Sequence, residues 1–199
     1  PEADGFELIE TMQAVFEGVM VTRCRHGIHL IKRNRNVLIS HCHIYFNTGV
    51  GIYLDGVNLH QVNIASSHIS YNRLGGIRLE RSEVRNLQIT GNDIEYNNHK
   101  SHGTKPEPTA EIYIDTTTES ASVNEVTIAS NTIQATGSPG GRTFASRKSP
   151  IHRGRPAYSP SAATSLEVRK TTCTSPVATV SLSAATRFIP ANTATCSSK

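Results

Sequence analysis

With 199 residues and 37% hydrophobic content, the chain has room for one domain with a sizeable core. Its net charge of +4 is unevenly spread: residues 1–138 hold 11 Lys and Arg against 15 Asp and Glu, whereas residues 139–199 hold 9 against 1. The basic balance belongs to the tail, which lacks interleaved aromatics, so no nucleic-acid partner is expected; no apolar run is long enough to predict a membrane span.

Residues 1–18 begin with Pro1 rather than Met and lack a signal-peptide run, which reads as a fragment or a processed product. An irregular first coil or cap is expected there, from Phe6 to Phe16. The first recognisable strand is Val19 to Val21. It leads to Cys24 and to Gly27-Ile28-His29-Leu30, which recurs as Gly51-Ile52-Tyr53-Leu54 at an offset of 24. The basic run Lys32, Arg33, Arg35 reads as a solvated turn rather than an anion site.

From Asn36 to Asn97 the chain repeats every 25 residues. Ile39, Ile64 and Ile89 share the step, as do Ile44, Ile69 and Ile94, Val37, Val62 and Leu87, Phe46, Tyr71 and Tyr96, and Asn47, Asn72 and Asn97. Within each unit apolar residues alternate at a spacing of two, as in Val37 and Ile39, Ile44 and Phe46, and Ile52 and Leu54. Turn-forming Asn, Ser, His and Gly lie between them. No helical period survives, so the unit is a coil of three short strands stacked on its neighbours. The Phe46, Tyr71 and Tyr96 column is expected inside, by its spacing from the isoleucines, and the Asn column is expected to bond to itself and to the turns.

The fourth unit lengthens, because Ile112 to Ile114 stands about ten residues beyond its place in the register. The insertion, Asn98 to Thr109, carries His99, Lys100, His102 and Lys105. A fifth unit keeps Val126, Ile128, Asn131 and Ile133. Beyond Ser138 the pattern stops: Ser, Thr, Ala and Pro supply 34 of the last 61 residues, so 139–199 is expected to be a disordered tail after a folded region 1–138. Cys24, Cys42, Cys173 and Cys196 have no metal-ligand spacing, and a disulfide is left open.

The segments Ile39 to Asn47, Ile64 to Asn72 and Ile89 to Asn97, with Gly51-Ile52 and Gly76-Ile77 after the turn, resemble the repeat of right-handed parallel β-helix proteins. That pectate lyase-like group includes pectate lyases, polygalacturonases, alginate epimerases and phage tailspikes. The resemblance implies an all-β solenoid, a secreted, periplasmic or cell-surface location, and a polysaccharide partner. It implies either a lyase or hydrolase of acidic polysaccharide or a non-catalytic glycan-binding or structural protein. Family catalytic motifs are missing: Asn47-Thr48 is followed by Gly49, no Asp-Asp pair occurs, and Arg25-His26-Gly27 only approximates a Gly-His-Gly.

The candidate site comes from alternation on the third strand of each coil. If Ile52 and Leu54 point in, Tyr53 and Asp55 point out, followed by Arg78 with Glu80 and Tyr113 with Asp115, and preceded by His29. Asp55, Glu80 and Asp115 are the candidate catalytic carboxylates; His29, Tyr53, Arg78 and Tyr113 are the candidate substrate-binding residues. Coils about 4.8 Å apart would set neighbouring carboxylates near the roughly 5 Å of a retaining glycosidase pair. Their repulsion is expected to raise one pKa or to recruit Ca²⁺, the one cofactor considered. A solvated surface with an Arg78 to Glu80 pair is the plainer reading. His43, aligned with His68 and Asp93, is a second and weaker outward cluster. Oligomeric state is left open.

Overall fold

The computed structural model describes residues 1–98, 110–134, 142–148 and 193–195. The first coil holds β1 (Phe6–Ile9), β2 (Val15–Glu17) and β3 (Met20–Thr22), and the second holds β4 (Ile28–Ser40) and β5 (His43–Tyr45). The third holds β6 (Val50–Ala65) and β7 (His68–Ser70), and the fourth β8 (Gly75–Glu80), β9 (Glu83–Thr90) and β10 (Asp93–Glu95). β11 (Ala110–Thr116), β12 (Ser122–Ala129) and β13 (Thr132–Gln134) form the fifth, followed by β14 (Arg142–Lys148) and β15 (Thr193–Thr195).

The strands pair in parallel from coil to coil, so the coils stack into three faces, with β15 set against β3 at the start of the stack. The first face runs β1, β4, β6, β8, β11, β14, and the third runs β15, β3, β5, β7, β10, β13. The second is built by β2, the later halves of β4 and β6, β9 and β12.

The core is the set of columns expected from the repeat. Ile39 pairs with Ile64, Ile64 with Ile89 and Ile89 with Ile128; Ile44, Ile69, Ile94 and Ile133 form another column, and Ile28, Ile52, Ile77 and Ile112 a third. All but the terminal Ile128 and Ile133 are fully buried. β1 and β2 pair with β4, so the first eighteen residues belong to a short but genuine coil that β3 completes. The boundary expected at Ser138 and residues 149–192 lie outside the described residues. Two short stretches of the expected tail do pair, β14 with β11 and β15 with β3.

The corners of the coil are residues with positive φ, and they too recur in columns; one column lies within the second face and bends it into two sides. Lys32, Gly56 and Arg81 mark one corner; Asn36, Gln61, Asn86 and Glu125 the next; His41, Ser66, Gly91 and Ser130 the third; and Phe46, Tyr71 and Tyr96 the fourth. None is Val, Ile or Thr, the residues for which this backbone conformation is most costly. Each corner resets the inward and outward alternation.

That reset overturns the expected placement of the aromatic column. Phe46, at φ 53°, is 52% exposed, and Phe46, Tyr71 and Tyr96 stack along the outside with ring centroids 5.2 and 5.3 Å apart. The following asparagines point inward instead. Asn47 Nδ2 donates to Asn72 Oδ1 at 2.8 Å, Asn72 Nδ2 to Asn97 Oδ1 at 2.9 Å, and Asn97 Nδ2 to the buried Glu111 carboxylate at 2.6 Å. This ladder explains the glycine of Gly-Ile. A Cβ on Gly51 would lie 2.7 Å from both Asn72 Nδ2 and the Gly76 carbonyl. Cys24 is disulfide-bonded, while Cys42 is a free, buried thiol.

Candidate functional site

On the first face the strand registers bring His29, Tyr53, Arg78 and Tyr113 into one column, and Asp55, Glu80 and Asp115 into the adjacent one. All seven residues stand where alternation with Ile28, Leu30, Ile52, Leu54, Ile77 and Leu79 places them. They are less exposed than a plain outer surface. His29 and Tyr113 are 8% and 2% exposed, because the His29 ring stacks on Tyr53 at 5.2 Å with His26 5.0 Å away, and the Arg78 guanidinium lies 5.3 Å over the Tyr113 ring.

The carboxylates are interleaved with cations rather than left to repel one another. Arg78 and the Tyr53 hydroxyl donate to Glu80 at 2.8 and 2.7 Å, and Arg81 donates to Asp55. The Tyr113 hydroxyl donates to Asp115 at 2.8 Å. Burial alone would raise the Glu80 pKa, but the hydrogen bonds from Arg78 and Tyr53 and the charges of Arg78 and Arg81 outweigh it and hold the group below the ordinary value. The expected raised carboxyl is thus not Glu80. Burial and the neighbouring carboxylates instead push up the Tyr53 phenol, which keeps its proton.

Asp4, His26 and Arg81, which were not among the expected site residues, complete the site. Asp4, from the first coil, accepts from both Arg25 Nε and an Arg25 terminal nitrogen at 2.8 Å, accepts from the His26 backbone N–H at 3.0 Å, and meets His29 Nδ1 at 2.8 Å. Burial opposes its ionisation, yet these partners hold its carboxyl far below the usual range. His29 Nε2 is shielded from solvent, makes no hydrogen bond, and stands 3.9 Å from Asp55 Oδ2. His26 accepts the Val50 N–H at Nδ1 at 2.9 Å, and burial lowers its pKa to about 4 against the opposing pull of the Asp4 carboxylate. Arg81 sits at a corner with φ 53°, which turns it toward Asp55. Period-two alternation could not reveal a residue beyond the corner, and Asp4 precedes the first regular unit.

Neither carboxylate group here suits a cation. Asp4, Glu7 and His29 have ligand atoms within 4.8 Å of one another, but the Asp4 oxygens are taken by Arg25, His26 and His29. In the ladder, Arg78 and Arg81 already neutralise Glu80 and Asp55, which disfavours Ca²⁺. The expected wall at Asn98 to Thr109 lies outside the described residues apart from Asn98, a buried corner residue with φ 62°.

No curated protein and no solved structure matches the chain. The described residues contain no helix long and apolar enough to cross a membrane. The family model described as "right handed beta helix region" matches residues 2–152, which is most of the chain. With parallel coils stacked through the same residues, this chain belongs to the right-handed β-helix family.

Proposed function

We propose that the chain acts on an acidic polysaccharide laid along the first face, and that the chemistry is β-elimination rather than hydrolysis. The observation that carries the proposal is the Asp4 and His29 pair: a carboxylate holds Nδ1 and leaves Nε2 without a hydrogen bond beside Asp55, Tyr53 and Arg81. A hydrolase needs a protonated carboxyl as general acid, whereas Glu80 is held ionised. An eliminating enzyme needs a base for the proton α to a uronate carboxylate, a cation on that carboxylate, and a proton donor for the departing sugar oxygen.

In this reading, the half-exposed Arg81 exchanges Asp55 for the uronate carboxylate, and that exchange opens His29 Nε2 to the substrate. Nε2 takes the ring proton, the C–H electron pair forms the double bond, the bond to the glycosidic oxygen breaks, and the leaving oxygen takes a proton from Tyr53. Glu80 and Arg78 hold the Tyr53 hydroxyl in place. Tyr113 and Asp115 extend the face by one coil. Secretion fits this reading, and the disulfide at Cys24 supports an oxidising compartment.

A second reading, binding without chemistry, is favoured by the outer stack of Phe46, Tyr71 and Tyr96, which offers flat rings to sugar faces. A panel of acidic and neutral polysaccharides, assayed with and without Ca²⁺ for products absorbing as unsaturated uronates, separates the two. We expect turnover on an acidic polymer without added Ca²⁺, and His29→Ala to lower turnover at least a hundredfold while oligosaccharide affinity stays within a few fold. Reducing ends without unsaturation would establish hydrolysis; affinity without any turnover would establish the binding reading.

A further inference from the structure

We propose that the third face carries a site for a first-row divalent ion of the zinc type, formed by His68, Asp93 and Glu95 with His43 beside them. β7 and β10 pair so that His68 stands opposite Asp93 and Ser70 opposite Glu95, while β5 sets His43 opposite His68. Nitrogen and carboxylate oxygens from His68, Asp93 and Glu95 converge within 4.8 Å of one another. His68 Nε2 is 3.5 Å from Glu95 Oε1, yet it is shielded from water and makes no hydrogen bond. That orphaned nitrogen is the feature a hydrogen-bonded surface cluster does not explain.

The spacing suits a metal. Ligand bonds of about 2.0–2.2 Å in tetrahedral array put ligand atoms roughly 3.3–3.5 Å apart, so His68 and Glu95 already span one edge. Asp93 has only to turn its carboxylate about the side-chain bonds to complete a triangular face. His43 is exposed, with its ring centroid 5.8 Å from that of His68, and it or a water supplies the fourth position. The open hollow lined by His41, His43, His68 and Asp93 gives an ion its path of entry.

Charge and ligand type select the ion. Among the described residues neither Asp93 nor Glu95 has a Lys or Arg partner, in contrast to the first-face ladder, where guanidiniums fill that role. Imidazole with carboxylates favours zinc, cobalt or nickel over calcium, whose sites are built from oxygen. Backbone pairing of three parallel strands fixes the ligand positions before an ion arrives, which lowers the ordering cost of binding.

The test is calorimetric titration of the full chain with Zn²⁺, beside His68→Gln and Asp93→Asn, with X-ray absorption of the loaded protein. We expect one equivalent to bind, to weaken at least tenfold in each variant, to show a nitrogen and oxygen shell near about 2.0–2.1 Å, and to resist excess Ca²⁺. Melting without metal should be unchanged in Asp93→Asn, which separates ligand loss from misfolding. Zinc binding equal in wild type and both variants, a sulfur-rich shell, or no binding would overturn the site. Because the cluster lies on a different face, none of these results bears on the elimination chemistry.

Discussion

Asp4 and His26 show how much of the site depends on single side chains outside the repeat. His26 accepts a backbone proton at Nδ1, which only the neutral ring can do, and its pKa of about 4 lies below the roughly 6.5 of an unfolded histidine. The unfolded chain therefore binds the proton first as pH falls, and stability present above about pH 6.5 is lost between there and about pH 4. Asp4, whose pKa is depressed, contributes stability above about pH 4 that is lost at lower pH. Denaturant melts from pH 8 to pH 3 should show a smaller loss between pH 6.5 and 4 in His26→Gln than in wild type; an identical slope would refute the assignment. Asp55, Glu80, Arg78 and Tyr53 were legible because they obey the alternation of a regular strand. Asp4 was not, because the first coil is short and its residues fall off the 25-residue register. Arg81 was not, because a left-handed corner reverses the side that alternation predicts.

At the scale of the strand and its turn, the same corner explains both the success and the error of the column assignments. Ile64 lies within β6 and points where period two sends it; Phe46 lies one residue past β5 and points the other way. Replacing Ile64 by Ala deletes a fully buried side chain flanked above and below by Ile39 and Ile89, and should cost about 2–5 kcal/mol. Gly51→Ala fails for the opposite reason. Its Cβ would press on the Gly76 carbonyl and on the Asn72 amide, neither of which is a free side-chain end, and about 1–3 kcal/mol should be lost. Urea denaturation of both variants checks the pair, and a loss below about 0.5 kcal/mol in either would contradict the packing described. The Gly-Ile signature is therefore a requirement of the Asn ladder beside it, a link that no single coil read alone would disclose.

For the whole molecule, each coil touches only its neighbours, so its stability is a sum of coils and of the interfaces between them. The stacking was legible because five columns shared one period. The added loop was legible only as a break in that period, since register tells where residues are inserted and not how they fold. The corners carry a consequence for the length of the chain. Gly56, Gln61, Ser66, Tyr71 and Arg81 are spaced 5, 5, 5 and 10 residues apart, and Arg81, Asn86, Gly91 and Tyr96 repeat the 5, 5, 5. In the third and fourth coils three sides keep five residues each and the fourth is a margin, while the second coil is one residue shorter, from Lys32 to Asn36. The larger natural lengthening, ten residues, falls in that margin, where Ile112 pairs with Ile77 at a separation of 35 and Ile77 with Ile52 at 25; four more follow β11, since Ser122 pairs with Glu83 at 39. A Gly-Ser insertion of four residues after Thr48 should leave a cooperative melt within a few degrees of wild type. Deletion of Asn63 should abolish that melt, because it turns every following side chain on its side to the wrong face. The margin is also the arm that bears His29, Tyr53 and Arg78, so the part of the coil free to change length is the part that meets the proposed substrate.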